Sequence, residues 1–154
     1  MGLEMTEQTK KDKKEETNRR ATSDSKSKRI LLVDDEPDVT YAIKVALENN
    51  GFVVDSYNDP TLALSNFKPG LYDLLLLDIK MPEENGFELC QKIKEIDSNV
   101  KTCFLTASEL FYDEYRRLEA YPRVNKEHFI QKPIRNEELI RKLNGILYPI
   151  RSNL

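Results

Sequence analysis

From Arg29 onward, apolar residues follow two alternating rhythms. Short, nearly continuous apolar runs predict buried strands over residues 29–34, 52–57, 72–78, 100–106 and 128–131, the middle ones apolar on both faces as a covered parallel sheet requires. Between them lie segments with apolar residues at helical spacing. The first opens with Pro37 at its first position, turns Val39, Ala42, Ile43, Ala46 and Leu47 inward, and stops before Gly51. The second starts at Asp59-Pro60, faces Ala63, Leu64 and Phe67 inward, and ends at Pro69-Gly70. A third, over residues 86–96, presents Leu89, Cys90, Ile93 and Ile96. A fourth falls within residues 109–121, with a sparser pattern of Phe111, Tyr115 and Leu118, and residues 121–127 read as loop. The last is expected to be capped by Asn136 and to bury Leu139, Ile140, Leu143 and Leu147. Five strand-helix repeats of this kind are the signature of an α/β fold with a parallel sheet between layers of helices.

Residues 1–28 break the rhythm. Their only apolar side chains are Met1, Leu3, Met5 and Ala21, among eight basic and six acidic residues. Such a segment cannot offset its ordering entropy by burial, so it is expected to be a disordered charged tail. The remainder divides into one domain over residues 29–148 and a short tail over 149–154. The whole chain has a net charge of −3, which does not suggest a nucleic-acid binder held by charge. No apolar run approaches the ~20 residues of a membrane span, and no signal-peptide core follows the N-terminus, so the expected location is the cytoplasm. The first six residues match the short N-myristoylation pattern, a match that arises readily by chance. Cys90 and Cys103 lie in apolar segments without a metal-binding spacing and are expected to pack in the core. His128, the one histidine, has no partner for a zinc site or catalytic dyad and is expected to be structural.

Polar residues gather where the strands end. Strand one runs into Asp34-Asp35, strand three into Asp78, strand four into Thr106 and the last into Lys132-Pro133. In an open parallel sheet those ends share one crevice. Each fragment alone is ordinary: a solvated turn, a helix cap, a loop marker. Together they form a set suited to phosphoryl transfer, where catalysis is mainly positioning and charge stabilisation. Three crowded carboxylates repel one another unless a cation neutralises them, and an all-oxygen set suits Mg2+. Asp78, at the end of the most apolar strand, is placed as a rigid nucleophile that forms an aspartyl phosphate. Lys132 can neutralise phosphoryl oxygens, and the Thr106 hydroxyl can donate to one.

The run Ile30-Leu31-Leu32-Val33-Asp34-Asp35-Glu36-Pro37, with Asp78-Ile79-Lys80-Met81-Pro82, Thr106-Ala107 and Lys132-Pro133, resembles response-regulator receiver domains over about residues 29–148, and the expected kind is a stand-alone, chemotaxis-regulator-like single-domain regulator. The resemblance implies a flavodoxin-like (βα)5 doubly wound parallel sheet of order 2-1-3-4-5, an order for which a receiver is itself the standard example. It implies two-component phosphorelay signalling, with Asp78 as phosphoacceptor and a sensor histidine kinase or histidine phosphotransfer protein as donor. It also implies Asp35 as a direct Mg2+ ligand, Asp34 as a ligand through water, the Lys80 backbone carbonyl as a further ligand, Thr106 and Lys132 as phosphoryl-sensing groups, and Thr106 with Phe129 as the switch pair. Gly86 fits the family's turn into the third helix, where glycine permits unusual backbone angles, and the Lys132-Pro133 bond resembles one that is cis in the family.

Three features depart from the family pattern. Phe129 stands where Tyr or Phe is usual and lacks a hydroxyl, the segment between Thr106 and Lys132 is long, and the usual Gly-Ala before the last strand is missing. Only seven residues follow the last helix, so output is expected through an unknown protein target rather than nucleic acid, without membrane insertion. The chain is expected to be a switch that assists its own phosphorylation and dephosphorylation, not an enzyme acting on other molecules. Two competing readings are a degenerate receiver that binds partners without phosphorylation, and a haloacid-dehalogenase-like phosphatase. Against the phosphatase, the acidic pair comes first here, and Lys80 stands two residues after Asp78 where that superfamily usually has an acid.

Overall fold

A computed structural model describes residues 27–107 and 126–150. Its centre is the strand Leu74–Asp78 (β3), every residue of which is buried. Parallel pairing extends from it on both sides, through Arg29–Val33 (β1) to Val53–Tyr57 (β2), and through Lys101–Thr106 (β4) to Phe129–Gln131 (β5). The order is β2-β1-β3-β4-β5, as the resemblance implied.

Alternation along the strands divides the core in two. Leu31, Val33, Leu75, Leu77, Phe104 and Phe129 point to one face and pack under the helices Pro60–Ser65 (α2) and Gly86–Ile96 (α3). Ile30, Leu32, Leu74, Leu76, Cys103 and Ile130 point to the other, beneath Pro37–Glu48 (α1) and Asn136–Leu147 (α4). A fully buried leucine contributes roughly 1.5–3 kcal/mol relative to an exposed one, so the four successive leucines of β3 anchor both layers at once.

Local chemistry sets the helix ends. α1 closes in a Schellman arrangement, with Phe52 N–H donating to Leu47 C=O, Gly51 N–H to Glu48 C=O, and Gly51 in the left-handed region at φ 87°. The Asp59 carboxylate accepts from Thr61 N–H at the start of α2. Asn85 and Glu88 form a reciprocal cap on α3, which the apolar pattern did not reveal. Asn136 does not cap α4: it is the first helical residue, and Arg135 occupies the cap position without a side-chain bond. Helix α2 ends at Ser65, short of Pro69, although Phe67 is still buried.

Two residues expected to face inward do not. Ala42 is exposed, and the polar Thr40 is buried instead, because its hydroxyl donates to Pro37 C=O and accepts from Asn58. Ile96 is half exposed because α3 ends there and the chain turns away at Asp97. Both cysteines are buried as expected, and burial pushes the Cys103 thiol up to about 12. His128, expected to open the last strand, instead sits half-buried at the end of a 3-10 turn, Lys126–His128, that begins in the stretch read as loop, and β5 starts one residue later at Phe129. Residues 1–26 of the tail expected over 1–28, the fourth helix and the end of the C-terminal tail lie outside the described residues. Among the described residues, no helix is long and apolar enough to cross a membrane.

Candidate functional site

Strand register assembles the site. Val33 lies opposite Leu77, so Asp34 emerges beside Asp78. Asp78 in turn pairs with Leu105, which puts Thr106 one step beyond, and Thr106 pairs with Gln131 just before Lys132. The Lys132 N–H donates to Thr106 C=O at 2.7 Å, locking the end of β5 to the end of β4, and the Lys132-Pro133 peptide is cis.

One carboxylate oxygen from each of Asp34, Asp35 and Asp78 lies within 4.8 Å of the others. Asp34 and Asp78 are buried and Asp35 is half-buried. The Lys132 ammonium donates to Asp34 Oδ2 at 2.9 Å and stands 3.4 Å from Asp78 Oδ1. Asp34 Oδ1 accepts from Glu36 N–H at 3.0 Å, so both of its oxygens already have donors. Asp35 and Asp78 are therefore the better placed of the three for direct contact with an added cation.

The electrostatics show a charge excess. Burial first, and then the Asp34 charge, push the Asp78 carboxyl up to about 7, with Lys132 opposing the shift only in part. Burial alone would lower Lys132, but its partners Asp34 and Asp78 outweigh that and hold it above its ordinary value. Three carboxylates facing one ammonium, with only oxygen donors, is an arrangement that a small hard dication would complete. The donor set fits Mg2+.

The loop after β3 is held tightly against the site. Gly86 N–H donates to Ile79 C=O at 2.8 Å, and a Cβ on Gly86 would fall 2.3 Å from the Asp78 carbonyl oxygen. Gly86 is thus required by close backbone approach, and not by an unusual φ as its place in the turn suggested. The unusual φ belongs to Glu83, at 69°, in a tight turn where Glu84 N–H donates to Pro82 C=O.

Lys80 is exposed two residues beyond Asp78. Thr106 is buried at the rim of the same crevice. Phe129 is not among the carboxylates: it is buried in an aromatic cluster, 5.5 Å from the Phe104 ring and 6.4 Å from that of Phe87. Sequence reasoning missed Asn58, whose side-chain amide donates to Asp34 C=O and to the Thr40 hydroxyl, both at 2.9 Å, tying the β1 and β2 loops together. Its position before Asp59-Pro60 marks only a turn.

Comparison with known proteins agrees with this geometry. The family model for the response regulator receiver domain matches residues 30–144. The chain is 35% identical over 119 residues to the transcriptional regulatory protein TrcR of Mycobacterium tuberculosis, a match covering 77% of this chain and 45% of TrcR. It is 32% identical over 115 residues to the transcriptional regulatory protein DltR of Streptococcus agalactiae, covering 75% and 50%. The chain thus spans about half the length of these curated relatives. Among solved structures it resembles the response regulator TrrA of Thermotoga maritima in complex with Mg2+ and a beryllium fluoride, at 32% identity and a TM-score of 0.66, covering 78% of this chain and 99% of that one. A CheY-like receiver domain protein from Methanospirillum hungatei is similar at 27% identity and a TM-score of 0.67, covering 79% and 94%. With the sheet order, the acidic crevice and the family match in agreement, the chain belongs to the response regulator receiver domains of two-component systems.

Proposed function

We propose that this receiver is switched by phosphorylation of Asp78, with a phosphohistidine of a sensor histidine kinase or histidine phosphotransfer protein as donor. The observation that carries the reading is the convergence of three carboxylates and Lys132 on one crevice. An Asp78 carboxylate oxygen attacks phosphorus, the P–N bond to the donor imidazole breaks, and the imidazole leaves with a proton. Water later attacks phosphorus, releasing inorganic phosphate and restoring the carboxylate. Both steps occur in the receiver's own site, so the protein is a switch and not an enzyme acting on other molecules.

Asp35, Asp78 and the Lys80 carbonyl would hold Mg2+, with Asp34 acting through water. Bound there, the ion supplies charge neutralisation for the acidic cluster and the incoming phosphoryl oxygens. Lys132 adds a fixed ammonium, and Thr106 adds a hydroxyl donor at the rim.

Phosphorylation adds charge at the end of β3 and draws Thr106 and Lys132 towards it. Lys132 follows β5 directly, so that movement bears on Phe129 at the other end of the same three-residue strand. The switch shifts a pre-existing equilibrium of the Phe129 face, where a downstream target docks. TrcR and DltR are named as transcriptional regulatory proteins, so the exclusion of nucleic acid drawn from the short C-terminal end has no support from these relatives.

The test is intact-protein mass after exposure to acetyl phosphate or phosphoramidate with Mg2+. A single base-labile phosphoryl adduct on the wild type, absent from Asp78→Asn and absent without metal, is the expected result. No adduct on the wild type under rapid quenching would sink the reading in favour of a receiver that binds without phosphorylation.

A further inference from the structure

The chain leaves β1 at Val33 and enters α1 at Pro37, and the loop between them carries Asp34 and Asp35, two of the three clustered carboxylates. α1 does not cap its own start: Glu36 stands at the cap position and makes no side-chain cap bond. The end of β2 holds the loop from outside. The Asp34 N–H donates to Tyr57 C=O at 3.2 Å, one step past the last paired residues Val33 and Tyr57, and the next bond comes from a side chain, with Asn58 Nδ2 donating to Asp34 C=O at 2.9 Å. The same nitrogen donates to Thr40 Oγ1 at 2.9 Å, and the buried Thr40 hydroxyl spends its own hydrogen on Pro37 C=O at 2.9 Å. One amide thus grips both ends of the segment that contains Asp35.

An asparagine that merely makes a turn bonds its side chain to its own neighbours. Asn58 instead reaches residues 24 and 18 positions away. It is exposed, so core burial does not account for it. The chemistry is specific to an amide nitrogen, which offers two hydrogens where both partners need a donor; an aspartate of the same shape has none. A peptide unit is planar, so fixing the Asp34 carbonyl also fixes the direction in which the chain reaches Asp35.

We infer that Asn58 is a positioning residue for the cation site, holding the Asp34-Asp35 peptide so that the Asp35 carboxylate meets a small cation without rearrangement. The inference rests on the reading of the crevice as a Mg2+ site. It adds selectivity to that reading. Mg2+ demands near-ideal octahedral geometry, whereas Ca2+ accepts looser and more variable surroundings, so a rigid loop favours Mg2+ and a loosened one penalises it more than Ca2+.

The experiment titrates the full chain with Mg2+ and, separately, with Ca2+, following amide chemical shifts for wild type, Asn58→Ala and Thr40→Val. The last removes the hydroxyl partner at nearly constant shape and serves as a second, independent break in the same bridge. Asn58→Ala is expected to weaken Mg2+ binding about tenfold, as loss of a group that orients a metal ligand does, and to change Ca2+ binding by less than about threefold. Thr40→Val should shift the ratio in the same direction by a smaller factor. Amide shifts far from the loop, in β3 and α4, should stay in place in both variants. Unchanged Mg2+ affinity in Asn58→Ala, or an equal loss for both ions as a purely structural role would give, would overturn the inference and leave the cation site standing. A wild type with no Mg2+-dependent shifts at Asp34, Asp35 and Asp78 would overturn the cation site itself, and the inference with it.

Discussion

The two ends of the sheet carry similar side chains and treat them in opposite ways. At the amino end, Arg29 donates to Asp55 Oδ2 from Nε at 3.0 Å and from Nη2 at 2.9 Å, and the Tyr72 hydroxyl donates to the same oxygen at 2.7 Å. The Arg29 N–H donates to Asp73 Oδ2 at 2.8 Å, and Lys28 lies 4.0 Å from Asp73 Oδ1. Each carboxylate there has its own cation. Burial would raise Asp55, but the bonds from Tyr72 and Arg29 outweigh it and leave the group below its usual range. At the carboxyl end, Lys132 reaches two of three clustered acids, Asp34 and Asp78, and Asp78 is pushed up to about 7. Matched charge at one end holds strands together. Unmatched charge at the other suits the cation and phosphoryl group proposed for the site.

Lys132→Ala should produce the largest change. It removes the one ammonium among the described residues that reaches both Asp34 and Asp78, and phosphoryl incorporation from a small-molecule donor is expected to fall by about 100-fold or more, as when a preorganised charge-stabilising donor is lost. Single-turnover incorporation rates decide this, and a rate within a few-fold of wild type would show that the ammonium does not stabilise the transfer. Gly86→Ala should come next: a Cβ 2.3 Å from the Asp78 carbonyl forces the backbone apart, at about 1–3 kcal/mol by chemical denaturation. An unchanged midpoint would mean that the loop yields without strain.

At the amino end, Asp55→Asn should cost about 1–2 kcal/mol at neutral pH, since it discharges the partner of Arg29 in a half-exposed setting. The sign with pH follows from the shift. A carboxyl lowered on folding stabilises above its unfolded value near 3.8, and that contribution is lost as pH falls through the lower folded value. Asp78 has the opposite sign. Raised on folding, without metal, it favours the fold below pH 3.8 and loses that contribution as pH rises towards about 7. Metal-free Asp78→Asn should therefore melt above the wild type at pH 7.5, by a margin corresponding to about 1 kcal/mol, and the gap should close at pH 4. Equal melting temperatures at both pH values would dissolve the contrast between the two ends.

The smallest effect is assigned to Lys80, exposed beside the site. Lys80→Ala is expected to change the lifetime of phosphorylated Asp78 a few-fold by altering the access of water. Identical decay curves would remove it from the site.

Much of this arrangement could be read along the chain because a buried parallel sheet writes itself as apolar runs, and because active groups follow those runs directly. Asp34, Asp78, Thr106 and Lys132 each stand at or just past a strand end, so register alone brings them together. What escaped depended on contacts between loops. Asn58 acts through the β1 loop, and the need for Gly86 comes from a carbonyl eight residues earlier in the chain. Neither leaves a periodic trace. Ala42 and Ile96 match helical spacing but fall at a helix flank and a helix end, where spacing no longer implies cover.

The most direct test of unmatched charge as the basis of the site is the melting temperature at pH 7.5 as Mg2+ is titrated, for wild type and for Asp35→Asn. The wild type should gain stability saturably over millimolar Mg2+, as a ligand that binds only the folded state requires, and Asp35→Asn should gain little. No response in the wild type, or the same response in both proteins, would contradict a carboxylate cluster that is completed by a cation.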